Sequence, residues 1–292
     1  MHSAGFLCSN LPFFDSDSLH GATVRVFDWA CRNYQRLFRI DHPDGEHLAT
    51  LHAGEDRTAY LQGYFDHEYC KGGAMAERFL AINRDWVGGR GLDFGCGGGG
   101  LTYRLREHCS GVVGIDLEAD KIAFARSKAA ELGADGVEFV RYDGGNVPLP
   151  DASFDVVFCV DVVEHLPDPE RFVTDFFRLL KPGGWFLLSF GPPWYHPHGK
   201  HMWVKVPGWW SHLLFPRSSV MRTAGYPPTN SWADIGIRRL SAGKFERILK
   251  RSGFQTLHQE VLIKKALSPL KRIPLLRELF ISEVVGIYRK PE

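Results

Sequence analysis

Gly91-Leu92-Asp93-Phe94-Gly95-Cys96-Gly97-Gly98-Gly99-Gly100 is the stretch from which the architecture of this chain can be worked out. It joins a short apolar run to a segment of helical periodicity. Glycines belong at such a junction, because a side chain would keep the backbone from approaching a ligand, and the helix N-terminus behind it favours polar or anionic groups. Gly95, Gly97 and Gly100 satisfy the GxGxxG pattern of dinucleotide sites. Asp116 follows about twenty residues later at the end of the next apolar run, where a carboxylate can accept both hydroxyls of a ribose. This ribose assignment holds for a nicotinamide cofactor and for other adenosyl cofactors alike. A bare tight turn would explain the glycines without the flanking strand, the helix or the acid. Cys96 is small enough to fit the turn, and no partner base marks it as a nucleophile.

Outward from the glycines, strands are expected at 91–94, 112–116, 137–141, 154–160 and 185–190, with helices at 101–108 and 119–132 between them. Such alternation is the pattern of parallel β-α-β units with helices on both faces, an α/β class. Asp168-Pro169-Glu170 supplies an N-cap, a first-turn proline and a first-turn acid for a further helix, stopped at Lys181-Pro182-Gly183-Gly184. Upstream, apolar residues at helical spacing from 56 to 85 predict two helices broken at Gly72-Gly73, and residues 1–55 read as an irregular N-terminal extension. Downstream, a helix over 241–251 and strands over 254–263 and 281–289 bracket a basic linker. Residues 191–240, rich in Pro, Trp and His, read as a cap inserted after the fifth strand of a domain spanning 56–292.

Helical material precedes the glycine turn, and Asp93 stands two places before its first glycine. Together with "VVGIDLEADKIAFAR", "NVPLPDASFDVVFCVDVVEHLPDPERF" and "FRLLKPGGWFLLS", in that order over about a hundred residues, these features resemble the class I S-adenosylmethionine-dependent methyltransferases of the type 11 group, which includes ubiquinone-biosynthesis relatives. The resemblance implies a Rossmann-like, mostly parallel sheet of seven strands whose last strand is antiparallel. It also implies S-adenosyl-L-methionine as cofactor. Carried over by motif, Asp93, Gly95 and Gly97 would shape the pocket for its methionine end, Asp116 would hold the ribose, Asp143 and Gly144 would sit beside the adenine, and Val160 would line the region of the sulfonium.

A sulfonium activates its own methyl group, so such an enzyme mainly supplies alignment and a dry site, and no metal is expected. An acceptor hydroxyl must lose a proton, for which a neutral histidine is suited. The candidates are His165, and His196, His198 or His201 just after the fifth strand. The last three invite a metal reading, but no Cys or nearby carboxylate completes a ligand set. Asp161 and Glu164 read as solvated loop positions. Trp194 and Tyr195 are expected to line the substrate.

The chain has 292 residues, 44% hydrophobic and 24% charged, with a net charge of +1, which excludes a globally basic nucleic-acid binder. That balance conceals a split: from Lys200 onward there are 17 Lys and Arg against 6 Asp and Glu. Five of the eight tryptophans fall between Trp194 and Trp232. Buried core accounts for some of them. Basic residues beside aromatics, Lys200, Lys205, Arg217, Arg222, Lys264, Lys265, Lys271 and Arg272, also suit a surface that meets an anionic membrane. No apolar run reaches the roughly 18 residues of a membrane span. The start lacks the basic flank of a signal peptide, and six cysteines without a CxxC pair suit a reducing compartment, so a cytoplasmic protein with peripheral membrane contact is expected. The functional expectation is methyl transfer to an oxygen of a small or lipid-like acceptor. Its rivals are a non-catalytic cofactor-binding protein of the same fold and an NAD-dependent oxidoreductase.

Overall fold

The computed structural model describes residues 16–37, 57–201, 208–225, 231–263, 267, 269 and 272–292. Of the basic residues named above for a membrane-facing surface, Lys205, Lys264, Lys265 and Lys271 lie outside them, and Lys200 is corrected: it is 1% exposed and belongs to no surface. Two helices, α1 (Ser16–Leu37) and α2 (Arg57–Ile82), precede the sheet. Then come β1 (Arg90–Phe94), α3 (Gly100–Leu105), β2 (Gly111–Asp116), α4 (Ala119–Glu131), β3 (Val137–Arg141), β4 (Phe154–Val160), α5 (Pro169–Leu179) and β5 (Leu180–Phe190). The remainder comprises α6 (Ser211–Leu214), α7 (Arg217–Thr223), α8 (Ala242–Ser252), β6 (Gln255–Ile263), α9 (Pro274–Arg277) and β7 (Ile281–Arg289).

The seven strands form one sheet in the order β3-β2-β1-β4-β5-β7-β6, with β7 antiparallel to both of its neighbours and the other pairs parallel. This is the Rossmann-like sheet the motifs imply. Its centre is apolar on both faces, as a strand covered by helices must be. Along β4, Phe154, Val157 and Cys159 join a cluster with Phe172 and Phe176 of α5 and Phe245 of α8. Val156 and Phe158 point the other way, to Phe79 of α2 and Leu101 and Leu105 of α3. The strand order reverses between β1 and β4, so the connections from their carboxyl ends leave to opposite sides and open a crevice there.

Asp168 caps its helix as expected from sequence, and Ser241 caps the later one. The Asp168 side chain accepts the Arg171 N–H at 3.2 Å, and Ser241 accepts the Lys244 N–H at 3.1 Å.

Three expectations are corrected. Residues 57–82 form one helix, because Gly72 and Gly73 mark a close helix crossing rather than a break. A Cβ on Gly72 would lie 2.8 Å from Leu101 Cβ, and one on Gly100 2.5 Å from the Tyr69 nitrogen. Next, α5 stops at Leu179, and Lys181-Pro182-Gly183-Gly184 already belongs to β5, whose Leu180 pairs with Phe154. Finally, the N-terminal extension is not irregular throughout: α1 buries Cys31 completely and ties Asp28 to Arg222 of α7 at 2.8 Å.

The segment after β5 folds around a core of its own. Trp194, Val220, Met221, Trp232 and Ile237 cluster with Cys31 of α1.

Candidate active site

The glycine turn is held open by its neighbours. Gly95 has φ of 81°, a conformation that favours glycine, and a Cβ there would meet Val162 Cγ2 at 2.4 Å. The Gly97 N–H donates to Asp116 Oδ2 at 3.0 Å and the Glu118 N–H to Asp116 Oδ1 at 2.9 Å, so Asp116 fixes the turn and the entrance to α4 together. Asp93 is buried, and its Oδ2 accepts the Thr102 hydroxyl at 2.7 Å. Burial raises its carboxyl to about 7 despite that hydrogen bond, with the Asp116 charge adding to the rise.

A cavity of about 220 Å³ lies at the carboxyl ends of β1 and β4. Asp93, Gly95, Cys96, Val160, Asp161 and Val162 line it from the sheet, and Tyr64, His67, Glu68 and Lys71 line it from α2. Glu68 reaches the glycine turn and accepts the Gly98 N–H at 3.1 Å. Burial pushes its carboxyl up to about 8, opposed by a hydrogen bond from Tyr64 and reinforced by Asp93. Lys71 forms an ion pair with Asp161, whose backbone is in the left-handed region at φ 55°. Burial lowers the Lys71 ammonium, but the charge and hydrogen bond of Asp161, with the charges of Glu164 and Glu283, together outweigh it and the net shift is upward.

Of the seven cofactor positions taken from the motifs, Asp93, Gly95 and Val160 face this cavity directly. Gly97 and Asp116 are joined to it through the turn. Asp143 and Gly144 follow the neighbouring strand β3, where the Asp143 side chain accepts the Gly145 N–H at 2.9 Å and Gly144 faces Leu117. Leu117 is 48% exposed and offers an apolar surface beside them.

The four candidate histidines divide into two pairs. His165 and His201 meet with ring centroids 5.1 Å apart, and His196 faces His198 at 5.7 Å. Burial lowers both members of the first pair, His201 to about 4, with His165 beside it adding to the shift. Trp194 is buried in the core of the 191–240 segment and borders a smaller cavity, and Tyr195 is 41% exposed. The reading of Asp161 and Glu164 as solvated positions is corrected: Asp161 lines the large cavity, and Glu164 is 5% exposed. The contribution of α2 is the part sequence reasoning missed. Tyr64, Glu68 and Lys71 lie at helical spacing on one face, just before the Gly72-Gly73 crossing, and that pattern was there to be read.

Residues 92–188 match the family model described as a methyltransferase domain, of type 11. Residues 92–188 carry a class I S-adenosylmethionine-dependent methyltransferase domain. Among curated relatives, the ubiquinone biosynthesis O-methyltransferase of Leptothrix cholodnii is 40% identical over 100 residues, covering 34% of this chain and 42% of that protein. The fatty-acid O-methyltransferase of Mycolicibacterium smegmatis is 38% identical over 117 residues, covering 39% of this chain and 42% of that one. The chain thus spans less than half the length of these relatives. A solved S-adenosylmethionine-dependent methyltransferase from Mesorhizobium loti shares the fold with a TM-score of 0.51 at 23% identity, covering 73% of this chain and 96% of that one.

The methyltransferase domain fits its donor chemically. S-adenosylmethionine carries a sulfonium and an ammonium group, and the cavity gathers the carboxyl groups of Glu68, Asp93 and Asp161 against one lysine. Asp93 and Glu68, raised to about 7 and 8, take up negative charge more readily once a cation enters beside them, so the site suits one. Glycine at 95 lets the turn pass close against Val162, and both residues line the cavity. Asp116 ends β2 and Asp143 follows the neighbouring β3, with the half-exposed Leu117 beside them.

Proposed function

We propose that this chain transfers the methyl group of S-adenosylmethionine to an oxygen of an amphipathic, lipid-like acceptor. The observation that carries the reading is the carboxylate-lined cavity at the ends of β1 and β4, behind a glycine turn pinned by Asp116. The donor, when bound, supplies an already activated methyl group, and transfer is an in-line displacement. Asp93, Glu68 and Asp161 hold its cationic end in place. Asp116 accepts the ribose hydroxyls through the carboxylate lone pairs its backbone partners leave free. Leu117 and Gly144 receive the base. The apolar walls of Val160, Val162 and Leu101 keep water from the transfer. As the new bond forms the acceptor oxygen must shed its proton, and the cluster of Glu164, His165 and His201 at the same end of the sheet is its sink.

The choice of oxygen is supported by relatives named for O-methylation in ubiquinone biosynthesis and of fatty acids. Both names point to hydrophobic molecules with a polar end. An acceptor of that kind suits an enzyme that works at a lipid surface. Accordingly, α1 exposes Val26, Phe27 and Trp29 beside Arg25 and Arg32, and the neighbouring α6 exposes Leu213 and Leu214. We assign this face to an anionic membrane. Among the described residues no helix is long and apolar enough to cross one.

The test is turnover. Incubated with methyl-labelled S-adenosylmethionine and a panel of hydroxylated quinone precursors and fatty acids, the protein should release S-adenosylhomocysteine in equal amount to an O-methylated product. Calorimetry should show S-adenosylhomocysteine binding, weakened at least tenfold by Asp116→Ala. Tight product binding without turnover of any acceptor would leave a non-catalytic binding protein, and NAD binding in its place would restore the oxidoreductase reading. For the membrane face, Trp29→Glu should abolish flotation with phosphatidylglycerol vesicles at low salt. No flotation of the unaltered protein would end that assignment.

A further inference from the structure

Glu164, His165 and His201 converge where the turn after β4 meets the segment after β5. A carboxylate oxygen and one nitrogen from each ring lie within 4.8 Å of one another. Glu164 is 5% exposed; its Oε1 accepts the Gly191 N–H at 3.1 Å, while its buried Oε2 has no hydrogen-bond partner among the described residues. A buried carboxylate oxygen without a partner is costly and calls for an explanation.

The histidines point to one. His201 Nε2 lies 2.9 Å from the Pro192 carbonyl oxygen, and His165 Nδ1 lies 3.4 Å from that of Gly236. A carbonyl can only accept, so each of these nitrogens carries the hydrogen, and the lone pair of each neutral ring is on the other nitrogen. Metal-binding imidazoles are oriented by such outer carbonyls. A cavity of about 10 Å³ adjoins the three side chains; Trp194, Arg238 and Arg239 also border it, Arg239 lying over the Trp194 ring and Arg238 donating to the His165 carbonyl oxygen at 3.4 Å. That is room for one ion or one water, and not for an organic ligand.

We propose that Glu164, His165 and His201 bind one divalent transition-metal ion of the zinc type, with a fourth position left for water or an acceptor oxygen. Two imidazoles and one carboxylate form a zinc donor set with an open position. Tetrahedral bonds of about 2.0 to 2.1 Å place ligand atoms roughly 3.3 Å apart, so the triad draws in by side-chain rotation to close on an ion. Asp161, on the same turn, is engaged by Lys71 and stays out of the ligand set. The carboxylate that the histidine-rich segment lacks in sequence therefore comes from the turn after β4, and of the three histidines considered there only His201 takes part. The ion joins the 191–240 segment to the sheet. With the ion bound the ring lone pairs are taken, so the proton leaves instead from an oxygen bound to the ion, which ionises near neutral pH. That last role rests on the proposed oxygen transfer, whereas the site itself does not.

The test reads metal alone. Protein freed of metal by chelation is titrated with Co²⁺, then Zn²⁺, with no methyl donor present. The expected result is one equivalent of Co²⁺ with the intense visible absorption of a tetrahedral complex, displaced by Zn²⁺, and a higher thermal midpoint with metal than without. His201→Gln and Glu164→Gln should each weaken binding at least about 100-fold, at or beyond the upper end of what outer-shell changes cause. His198→Gln should keep it. If Glu164→Gln fails to fold, His201→Gln decides. Absence of a stoichiometric site in the unaltered protein, or binding that survives both substitutions, overturns the proposal. Failure of methyl transfer with the site intact would instead count against the proposed function.

Discussion

Asp93 and Glu68 bring two carboxyl groups to one cavity, and burial holds them near 7 and 8, above the usual carboxylate range. Each therefore gains its negative charge only as the pH rises past neutrality, which ties donor affinity to pH. S-adenosylmethionine carries a sulfonium that S-adenosylhomocysteine lacks, while the rest of the two molecules is alike. Raising the pH from about 6 to about 8.5 should accordingly tighten the donor relative to the product, by about three- to tenfold. Calorimetric Kd values for both ligands at the two pH values check this, and a ratio that does not move would mean that neither carboxyl group feels the sulfonium. Stability without ligand follows the same groups with the opposite sign. Carboxyl groups raised in the fold stabilise it fully below their unfolded value of about 4, and that contribution is lost as the pH climbs through about 7 to 8. His201 works the other way: lowered to about 4, it favours the fold above its unfolded value of about 6.5 and withdraws that support as the pH falls toward 4.

At the scale of elements, the crossing of α2 and α3 sets the cavity wall. A Cβ on Gly100 would lie 2.5 Å from the Tyr69 nitrogen and 2.6 Å from the Phe65 carbonyl oxygen, both backbone atoms that cannot rotate aside. Gly100→Ala should therefore cost about 2 to 4 kcal/mol in urea denaturation. It should also weaken S-adenosylhomocysteine, because α2 carries Tyr64, Glu68 and Lys71 into the site. The sequence could be read well where structure is local. Strands β3 and β4 have the expected bounds because their apolar pattern and flanking turns are contiguous, and Asp168 caps α5 through a contact three residues away. It was misread where a distant partner decides. Gly72-Gly73 has the local propensity of a break, about 1 kcal/mol per glycine, and only Leu101, whose Cβ and Cα press on position 72, makes a small residue necessary there. Glu164 sits on a polar turn and reads as solvated, until the Gly191 N–H and the segment after β5 enclose it. For the same reason the glycine turn and Asp116 could be found in advance, and the α2 wall could not be placed by strand-and-turn reasoning alone.

Across the whole molecule, the hydrophobic interior is divided. The sheet and its helices share clusters centred on β4, whereas Trp194, Val220, Met221, Trp232 and Ile237 form a separate core with Cys31 of α1. The two are joined by polar links, among them the Trp194 N–H donating to the Leu240 carbonyl at 2.8 Å and the contacts of Glu164, His165 and His201. A division of this kind allows the donor side to be set by the sheet and the acceptor side by the segment folded over it. Trp232 is the place to separate them: it is 8% exposed and stands edge-on to Trp194 at 5.5 Å. Trp232→Ala removes a buried aromatic ring, a change that costs about 3 to 5 kcal/mol where the surroundings cannot collapse. Because no residue of that core belongs to the sheet clusters, S-adenosylhomocysteine should bind within about twofold of its original affinity, while kcat/KM for an accepted lipid-like substrate falls at least tenfold. Calorimetry beside steady-state rates makes the comparison. Equal loss of both would mean that the two cores fold and fail as one unit, and that the acceptor is not governed by the 191–240 segment on its own.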